Sequence, residues 1–246
     1  MIDFKGILNT QRGIDGYLLE QSAAVWCVLL DWQHGTWTWQ DLSKGDYLEI
    51  GVFKGKSASI LAGFSTAYSN RLFLVDPAVD LRTKDTLNSL CNAVTFVEHR
   101  SEKLRHSEFL AKHVRSIAFG HIDGLHSFSA VTNDLELFED LLDDFGILSV
   151  DDFHTDLYPQ VPAAVYRHLY SGQSDLSIFL VGFNKAYLCR NAAKRYYASM
   201  VRDNLLDSLR LLDHSLTLVK TDRHDLFDSF SIGPFMGEPY HGDRYR

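Results

Sequence analysis

Short apolar runs alternate with segments of helical spacing up to residue 150 of this chain. The apolar runs lie at residues 47–50, 71–75, 94–97, 117–122 and 146–150. Between the last two runs, apolar residues recur at helical spacing at Val131, Leu135, Leu137, Phe138, Leu141 and Leu142. Strands that alternate with helices predict a mostly parallel sheet that is covered by helices on both faces. We therefore predict a doubly wound, Rossmann-like α/β fold.

A glycine turn follows the first predicted strand directly. Glu49 lies near the carboxyl end of this strand, Gly51 and Gly55 make the turn, and the next helix opens around Ser57. Glycines permit positive φ and let the backbone approach a ligand without a β-carbon in the way. The helix start also offers unpaired N–H groups. Because many doubly wound proteins bind a nucleotide-like ligand at such a turn, the pattern predicts a ligand site.

Acidic residues stand at the ends of four predicted strands. Glu49 is in the first strand, Asp76 ends the second, Asp123 follows the fourth, and Asp151 and Asp152 follow the fifth. Ligands of such sheets bind outside the carboxyl ends of the strands, and an acid after the second strand can accept hydrogen bonds from ribose hydroxyls. A single acid of this kind also serves as a turn former or a helix cap. Acids at four strand ends favour a ligand site.

The order of these motifs resembles that of class I S-adenosylmethionine-dependent methyltransferases. The motifs are Glu-x-Gly-x-x-x-Gly-x-Ser from Glu49, the strand that ends in Asp76, Ile-Asp-Gly-x-His at 122–126, and Gly-Ile-Leu-x-Val-Asp-Asp at 146–152. More narrowly, the chain is similar to the branch that includes macrocin O-methyltransferase and the proteins called cephalosporin hydroxylases. The resemblance covers residues 45–190.

This resemblance implies S-adenosylmethionine as the methyl donor and indicates which residues would hold it. The methionine end of the donor would be lined by Glu49, Gly51, Gly55 and Ser57, with Asp76 at the ribose, Ser101 near the adenine, and Asp123 also in the donor site. Several members of the branch use magnesium, and acids at the positions of Asp123, Asp151 and Asp152 hold it. Those members methylate hydroxyls of sugars or other natural-product scaffolds.

A hydroxyl acceptor must lose its proton to attack a sulfonium methyl group in line. A divalent cation bound by Asp123, Asp151 and Asp152 would lower the pKa of a coordinated hydroxyl, and clustered carboxylates suit Mg²⁺. His126 can then take the proton as a general base, since imidazole titrates near neutrality. The alternatives are structural: one acid of the adjacent pair caps the following loop, and His126 holds its turn by a hydrogen bond. His154 is the reserve base.

The composition of the chain indicates which kinds of molecule it binds and where in the cell it works. The chain has 246 residues, and its 24 lysines and arginines against 32 acids give a net charge of −8. Nucleic-acid backbones are recognised by clustered cations, so we expect a small-molecule acceptor and no nucleic acid. The three cysteines form no Cys-x-x-Cys pair, which is typical of reduced thiols in a cytoplasmic protein. No signal segment and no long apolar run is present, so neither secretion nor membrane insertion is expected.

The two ends of the chain are more individual. Helical spacing predicts an amphipathic helix over 14–31, and all four tryptophans fall within 26–39. Their rings either fasten this helix to the core or form a lid over the acceptor. A second amphipathic stripe over 191–213 is either core or a dimer face, and we expect a homodimer or higher homo-oligomer. We divide the chain into a helical lid region 1–44, a donor-binding domain 45–190, and a C-terminal helix and tail 191–246.

Three classes of function follow from the sequence. The first is a magnesium-assisted O-methyltransferase that acts on a small molecule. The second is an N-methyltransferase on the same fold, and the third is a non-catalytic relative that binds the donor and serves as an assembly partner. A nicotinamide-dependent dehydrogenase is disfavoured, because no glycine lies between Gly51 and Gly55 and because Glu49 would repel a pyrophosphate.

Overall fold

Ten strands and nine α-helices make up the part of the chain that the computed structural model describes, which is residues 2–37, 45–105, 107–114, 116–220, 229–234 and 243–245. The strands are β1 Asp46–Ile50, β2 Leu72–Val75, β3 Val94–Val97, β4 Ile117–Ile122, β5 Leu142–Val150, β6 Leu176–Gly182, β7 Lys185–Arg190, β8 Thr217–Lys220, β9 Phe230–Gly233 and β10 Asp243–Tyr245. The helices are α1 Phe4–Arg12, α2 Glu20–Trp37, α3 Lys56–Tyr68, α4 Leu81–Leu90, α5 Glu108–His113, α6 Phe128–Leu141, α7 Gln160–Leu169, α8 Asn191–Met200 and α9 Leu206–Arg210.

All ten strands form one mixed sheet in the order β10-β8-β9-β6-β7-β5-β4-β1-β2-β3. The five strands predicted from the sequence, β1 to β5, are parallel to one another. Strand β7 pairs antiparallel with both β5 and β6. The order of strands reverses direction between β1 and β4, and an open α/β sheet binds its ligands at such a point. The predicted fold class is confirmed.

Side chains alternate between the two faces of the sheet and feed two separate cores. Tyr47 and Leu74 face the core under α2, α3, α8 and α9, whereas Leu48 and Val75 face the core under α5, α6 and α7. Each parallel strand is therefore buried on both faces, which explains why the strands read as continuous apolar runs in the sequence.

The predicted N-terminal helix over 14–31 is wrong in its bounds. Helix α2 begins at Glu20, and a shorter helix, α1, precedes it. Because residues 23–30 are buried throughout, α2 is a core helix with no polar face. Trp26 and Trp32 are both buried in the core, and Trp26 packs edge-on against Phe119 of β4 with 5.0 Å between ring centroids, so the rings fasten the helix to the core. The side chain of Trp37 and all of Trp39 lie outside the described residues.

The predicted C-terminal helix is present but interrupted. Helices α8 and α9 are joined by one π-helical turn, Val201–Leu205. The apolar stripe is buried against the α2 side of the sheet, at Tyr197, Val201, Leu205 and Leu209. Because this stripe packs inside the chain, it is not available as a dimer face. The homo-oligomer therefore stays a prediction that this stripe does not support. Among the described helices, none combines the length and apolar character that a membrane span needs.

Candidate active site

The turn between β1 and α3 passes very close to the end of β4. Gly51 has a φ of +88°, and a β-carbon there would lie 1.9 Å from the carbonyl oxygen of Asp123. Gly55 has a φ of +79° and precedes the first residue of α3. Between them, Phe53 has a φ of 48°, a conformation that costs a non-glycine residue about 1–3 kcal/mol. The surrounding structure therefore holds this turn in a strained shape.

Asp76 fastens the glycine turn to the end of β2. Its Oδ2 accepts hydrogen bonds from the backbone N–H groups of Val52 at 2.9 Å and Phe53 at 3.4 Å. Its Oδ1 accepts one from Ala78 at 2.9 Å. The carboxylate thus holds the turn and borders the adjoining cleft at the same time. The predicted ligand residue has a structural task that the sequence pattern did not reveal.

Two clefts meet at the carboxyl ends of the strands. The first, which we call the glycine-turn cleft, has a volume of about 370 Å³ and is lined by Gly51, Asp76, Ser101 and Asp123 among others. The second, which we call the acidic cleft, has a volume of about 840 Å³. Its lining includes Ser57, Asp123, His126, Asp151 and Asp152. Asp123 and the turn residues Val52 and Phe53 border both clefts.

His126 lies between two acids of the acidic cleft. Its Nε2 is 2.8 Å from Asp152 Oδ2 and 3.5 Å from Asp123 Oδ1. The ring also stacks on Tyr158, with 4.1 Å between the ring centroids. The contact with Asp123, together with the charge of Asp152, raises the pKa of His126 above its ordinary value, although partial burial opposes this. A half-buried imidazole held in this way can accept a proton from a group bound in the cleft.

Asp151 is paired with a cation that the sequence analysis missed. Its Oδ2 accepts a hydrogen bond from Nζ of Lys185, which is almost fully buried at the start of β7. The same ammonium lies 5.7 Å from the ring centroid of Trp26. Burial is the largest single influence and raises the pKa of Asp151, but the charge and the hydrogen bond of Lys185, together with the charge of His121 and the backbone N–H of Asp152, lower this pKa overall. The position of Lys185 within an otherwise apolar strand was the only feature of the sequence that could have indicated this buried cation.

Of three other residues predicted from the sequence, Asp152 lines the acidic cleft, whereas Gly55 and His154 line neither cleft. Asp152 has a φ of 55°, and its Oδ1 accepts a hydrogen bond from the Asn184 side chain at 2.8 Å. Gly55 does not line either cleft, and it shapes the turn instead. His154 is exposed, lines neither cleft, and donates its backbone N–H to Asn184 Oδ1 at 3.1 Å.

Glu49 lies beneath the clefts, fully buried. Ser57 donates a hydrogen bond to Oε1 of Glu49, and Nε2 of the neighbouring His121 is 4.0 Å from the same oxygen. The second oxygen, Oε2, has no hydrogen-bond partner among the described residues. Burial raises the pKa of Glu49 to about 8, and burial lowers the pKa of His121 to about 3. Both groups are therefore largely uncharged at neutral pH, and Glu49 can ionise when a cation binds nearby.

Replacing Glu49 by glutamine is expected to remove a loss of stability at high pH. The native pKa of about 8 exceeds the ordinary value of 4.5. The folded state therefore holds a proton that the unfolded state has released, and the free energy of unfolding falls as the pH rises through this window. Urea unfolding should show that the free energy of unfolding decreases between pH 6 and pH 8 in the wild type, and that this decrease is about 2 kcal/mol smaller in Glu49→Gln. The exposed Glu108→Gln should match the wild type, and equal slopes in all three proteins would contradict the expectation.

The acidic cleft fits a divalent cation in its donor set. Oxygen or nitrogen atoms of Asp123, His126 and Asp152 lie within 4.8 Å of one another, as do those of His121, Asp123 and Asp151. Burial raises the pKa of Asp123, and the nearby negative charge of Asp151 raises it further. Lys185 contacts Asp151 directly, whereas Asp123 and Asp152 have only the His126 ring between them, so these two acids have most to gain from a cation.

Comparison with known proteins agrees with this fold. A family model described as a methyltransferase domain matches residues 48–153. The solved structure of the O-methyltransferase NovP superposes with a TM-score of 0.56 at 14% identity, covering 76% of this chain and 88% of that chain. CalS11, described as a TDP-rhamnose 3′-O-methyltransferase of calicheamicin biosynthesis, gives a TM-score of 0.51 at 18% identity, covering 66% of this chain and 77% of that chain.

MycE, a methyltransferase of mycinamycin biosynthesis that was solved with Mg and SAH, gives a TM-score of 0.52 at 11% identity. The match covers 76% of this chain and 54% of MycE. No curated protein sequence matches the chain. At these identities the solved structures show a shared fold. Together with the family match over residues 48–153, they confirm at the level of the fold the resemblance that the motifs indicated, to class I S-adenosylmethionine-dependent methyltransferases.

Proposed function

We propose that this protein transfers the methyl group of S-adenosylmethionine to a hydroxyl of a small molecule. The observation that carries the proposal is the position of His126 between Asp123 and Asp152, in the cleft that adjoins the glycine turn. A base is needed for oxygen methylation because a neutral hydroxyl is a weak nucleophile. The relatives of similar fold that are described as O-methyltransferases support the same reaction.

The glycine-turn cleft is proposed to take the adenosyl part of the donor. Asp76 would accept hydrogen bonds from the ribose, and Ser101, which is nearly buried in the lining, would lie near the adenine. The methionine part would extend past Gly51 towards Ser57 and Glu49, where ionisation of Glu49 would balance positive charge on the donor. The methyl group would then point into the acidic cleft, in line with an acceptor oxygen.

His126 is proposed to take the acceptor proton, with Asp123 and Asp152 holding its ring. Their carboxylates favour the imidazolium that forms and fix the ring against Tyr158. Asp123, Asp151 and Asp152 would hold Mg²⁺, with Lys185 balancing part of their charge. When bound, such an ion supplies Lewis acidity that lowers the pKa of a hydroxyl. The Mg in the MycE structures supports this part of the proposal.

Donor binding tests the proposal directly. Titration calorimetry of the protein with S-adenosylhomocysteine should show binding, and Asp76→Ala should weaken it by about 1.5–3 kcal/mol, the range for hydrogen bonds to a charged group. Because Asp76 also holds the glycine turn, the 2′-deoxy analogue of this ligand separates the two tasks. If Asp76 contacts the ribose, removing the hydroxyl should weaken binding to the wild type and leave binding to Asp76→Ala nearly unchanged. An equal loss in both proteins would contradict the ribose contact.

A further inference from the structure

The outer wall of the acidic cleft consists of large apolar side chains that are exposed to solvent. Tyr17 is 93% exposed, Leu19 52%, Phe53 62% and Leu157 76%, and all four line this cleft. They come from three separate segments, namely the loop before α2, the glycine turn, and the loop between β5 and α7. Single exposed apolar residues are ordinary, but several around one cleft mark a surface that binds something apolar.

The shape of the glycine turn keeps the side chain of Phe53 at the surface. Phe53 has a positive φ, and the hydrogen bonds from the turn to Asp76 hold it there. A strained residue persists only when the structure around it enforces the conformation. The aromatic ring is thus kept outside the core, at the border of both clefts, although burial would stabilise it.

The charges of the same cleft oppose an anionic acceptor. Its inner end carries Asp123, Asp151 and Asp152, and the described residues of the lining include three lysines and no arginine. Lys54 is paired with Asp80 at 2.8 Å. Nζ of Lys56 donates to the carbonyl oxygen of Ile14 at 2.7 Å, and Lys185 is paired with Asp151.

Recognition of a diphosphate relies on cations or on N–H groups directed at it. Each lysine of the described lining already has a partner, so these residues leave no lysine or arginine for a phosphate, and a cation held by Asp123, Asp151 and Asp152 would be balanced by those three acids. A cleft of about 840 Å³ is large enough for an acceptor of two or three rings.

We infer that the acceptor is an uncharged molecule with an apolar or aromatic ring system and a hydroxyl, and that it is not a nucleoside-diphosphate sugar. Its ring would lie against Leu19, Phe53 and Leu157, and its hydroxyl would face His126. This inference rests on the proposed function of the cleft. It distinguishes the protein from CalS11, which is described as acting on TDP-rhamnose.

The test measures binding of two probes of opposite character, with and without saturating S-adenosylhomocysteine. The neutral probe is 2-naphthol, followed by its own fluorescence, and the anionic probe is UDP-glucose, followed by calorimetry. Leu19→Ser/Leu157→Ser removes two apolar contacts from the wall. Leu211→Ser is the matched control, because Leu211 is equally exposed at 78% and does not line the cleft.

We expect 2-naphthol to bind at least about tenfold more tightly than UDP-glucose, and the double variant to lose about tenfold in 2-naphthol affinity. Leu211→Ser should bind both probes as the wild type does. Tighter binding of UDP-glucose, or equal 2-naphthol affinity in the double variant, would overturn the inference. So would a mass in light scattering that falls from dimer to monomer in the double variant, because the wall would then be a subunit interface. Failure to bind S-adenosylhomocysteine would count against the proposed function, while the probe comparison without it still decides the class of acceptor.

Discussion

Asp152→Asn is expected to lower the rate of methyl transfer by about 100-fold or more while leaving donor affinity within about twofold of the wild type. Asp152 contacts His126 and borders the acidic cleft, but it does not line the glycine-turn cleft. The substitution keeps the shape of the side chain and removes its charge. Both the base and the proposed metal site lose an acid, whereas the donor site keeps its lining. Mass spectrometry of the methylated acceptor measures the rate, and calorimetry measures donor affinity.

The pH profile separates the two roles of Asp152. In the wild type, the contacts with Asp123 and Asp152 raise the pKa of His126 above its ordinary value of 6.5. The neutral imidazole is the base, so the rate should rise as the pH rises through this raised pKa. Without the charge of Asp152 the rising limb should move to lower pH. An unmoved limb would contradict the role of Asp152 beside the base.

Metal removal and a surface variant complete this test. Activity should fall in EDTA and return with added Mg²⁺ if the acids hold an ion. The exposed Asp85→Asn, which borders neither cleft, should behave as the wild type. Full activity in EDTA, together with near-wild-type turnover of Asp152→Asn, would rule out the metal and leave His126 as the sole base.

The sequence predicted the parallel half of the sheet because its strands are buried on both faces. Such strands are continuous apolar runs, and acids at their carboxyl ends converge by topology alone. Asp123, Asp151 and Asp152 therefore met at one edge, as expected. The last three strands, β8, β9 and β10, were missed because they have only 4, 4 and 3 residues, too few to show a periodic pattern. Helix α2 was misplaced because a helix buried on all sides has no polar face from which to read its period.

The ion pair of Lys185 could not be predicted from the sequence, for a different reason. Its partner Asp151 is 34 residues away in the sequence, and only the antiparallel pairing of β5 with β7 brings them together. Asp76 is a similar case, since its bonds to the glycine turn depend on the close approach of β1 and β2. The spacing of residues in the sequence shows which residue types gather at the end of a strand. It does not show which of these charged side chains form ion pairs with each other.

Lys185→Met is expected to lower the free energy of unfolding by about 3–5 kcal/mol at pH 7. The substitution keeps an unbranched side chain against Trp26 but leaves the largely buried carboxylate of Asp151 without its cation. An uncompensated buried charge costs more than the ion pair itself contributes, since the carboxylate loses its water without gaining a partner. Urea unfolding in EDTA measures the difference and prevents a divalent cation from replacing the ammonium.

The loss should shrink as the pH falls. In the wild type, Lys185 lowers the pKa of Asp151 below its ordinary value of 3.8, so the contribution of the ion pair is complete above that value and is lost as the pH falls through the lowered pKa. In the variant, burial without a counter-charge raises the pKa of Asp151. The carboxylate then takes up a proton as the pH falls through the raised pKa, and its cost fades. The two unfolding free energies should therefore converge between pH 7 and pH 4.

Two controls decide whether charge or packing is responsible. Lys185→Met/Asp151→Asn removes both charges of the pair and should recover most of the stability that the single variant loses, because neither partner is left buried without the other. Lys112→Met breaks the Lys112–Glu108 pair, in which both side chains are exposed, and should cost less than about 1 kcal/mol. A loss in Lys185→Met that is independent of pH and is not recovered in the double variant would show that Lys185 packs the core under α2 rather than balancing Asp151.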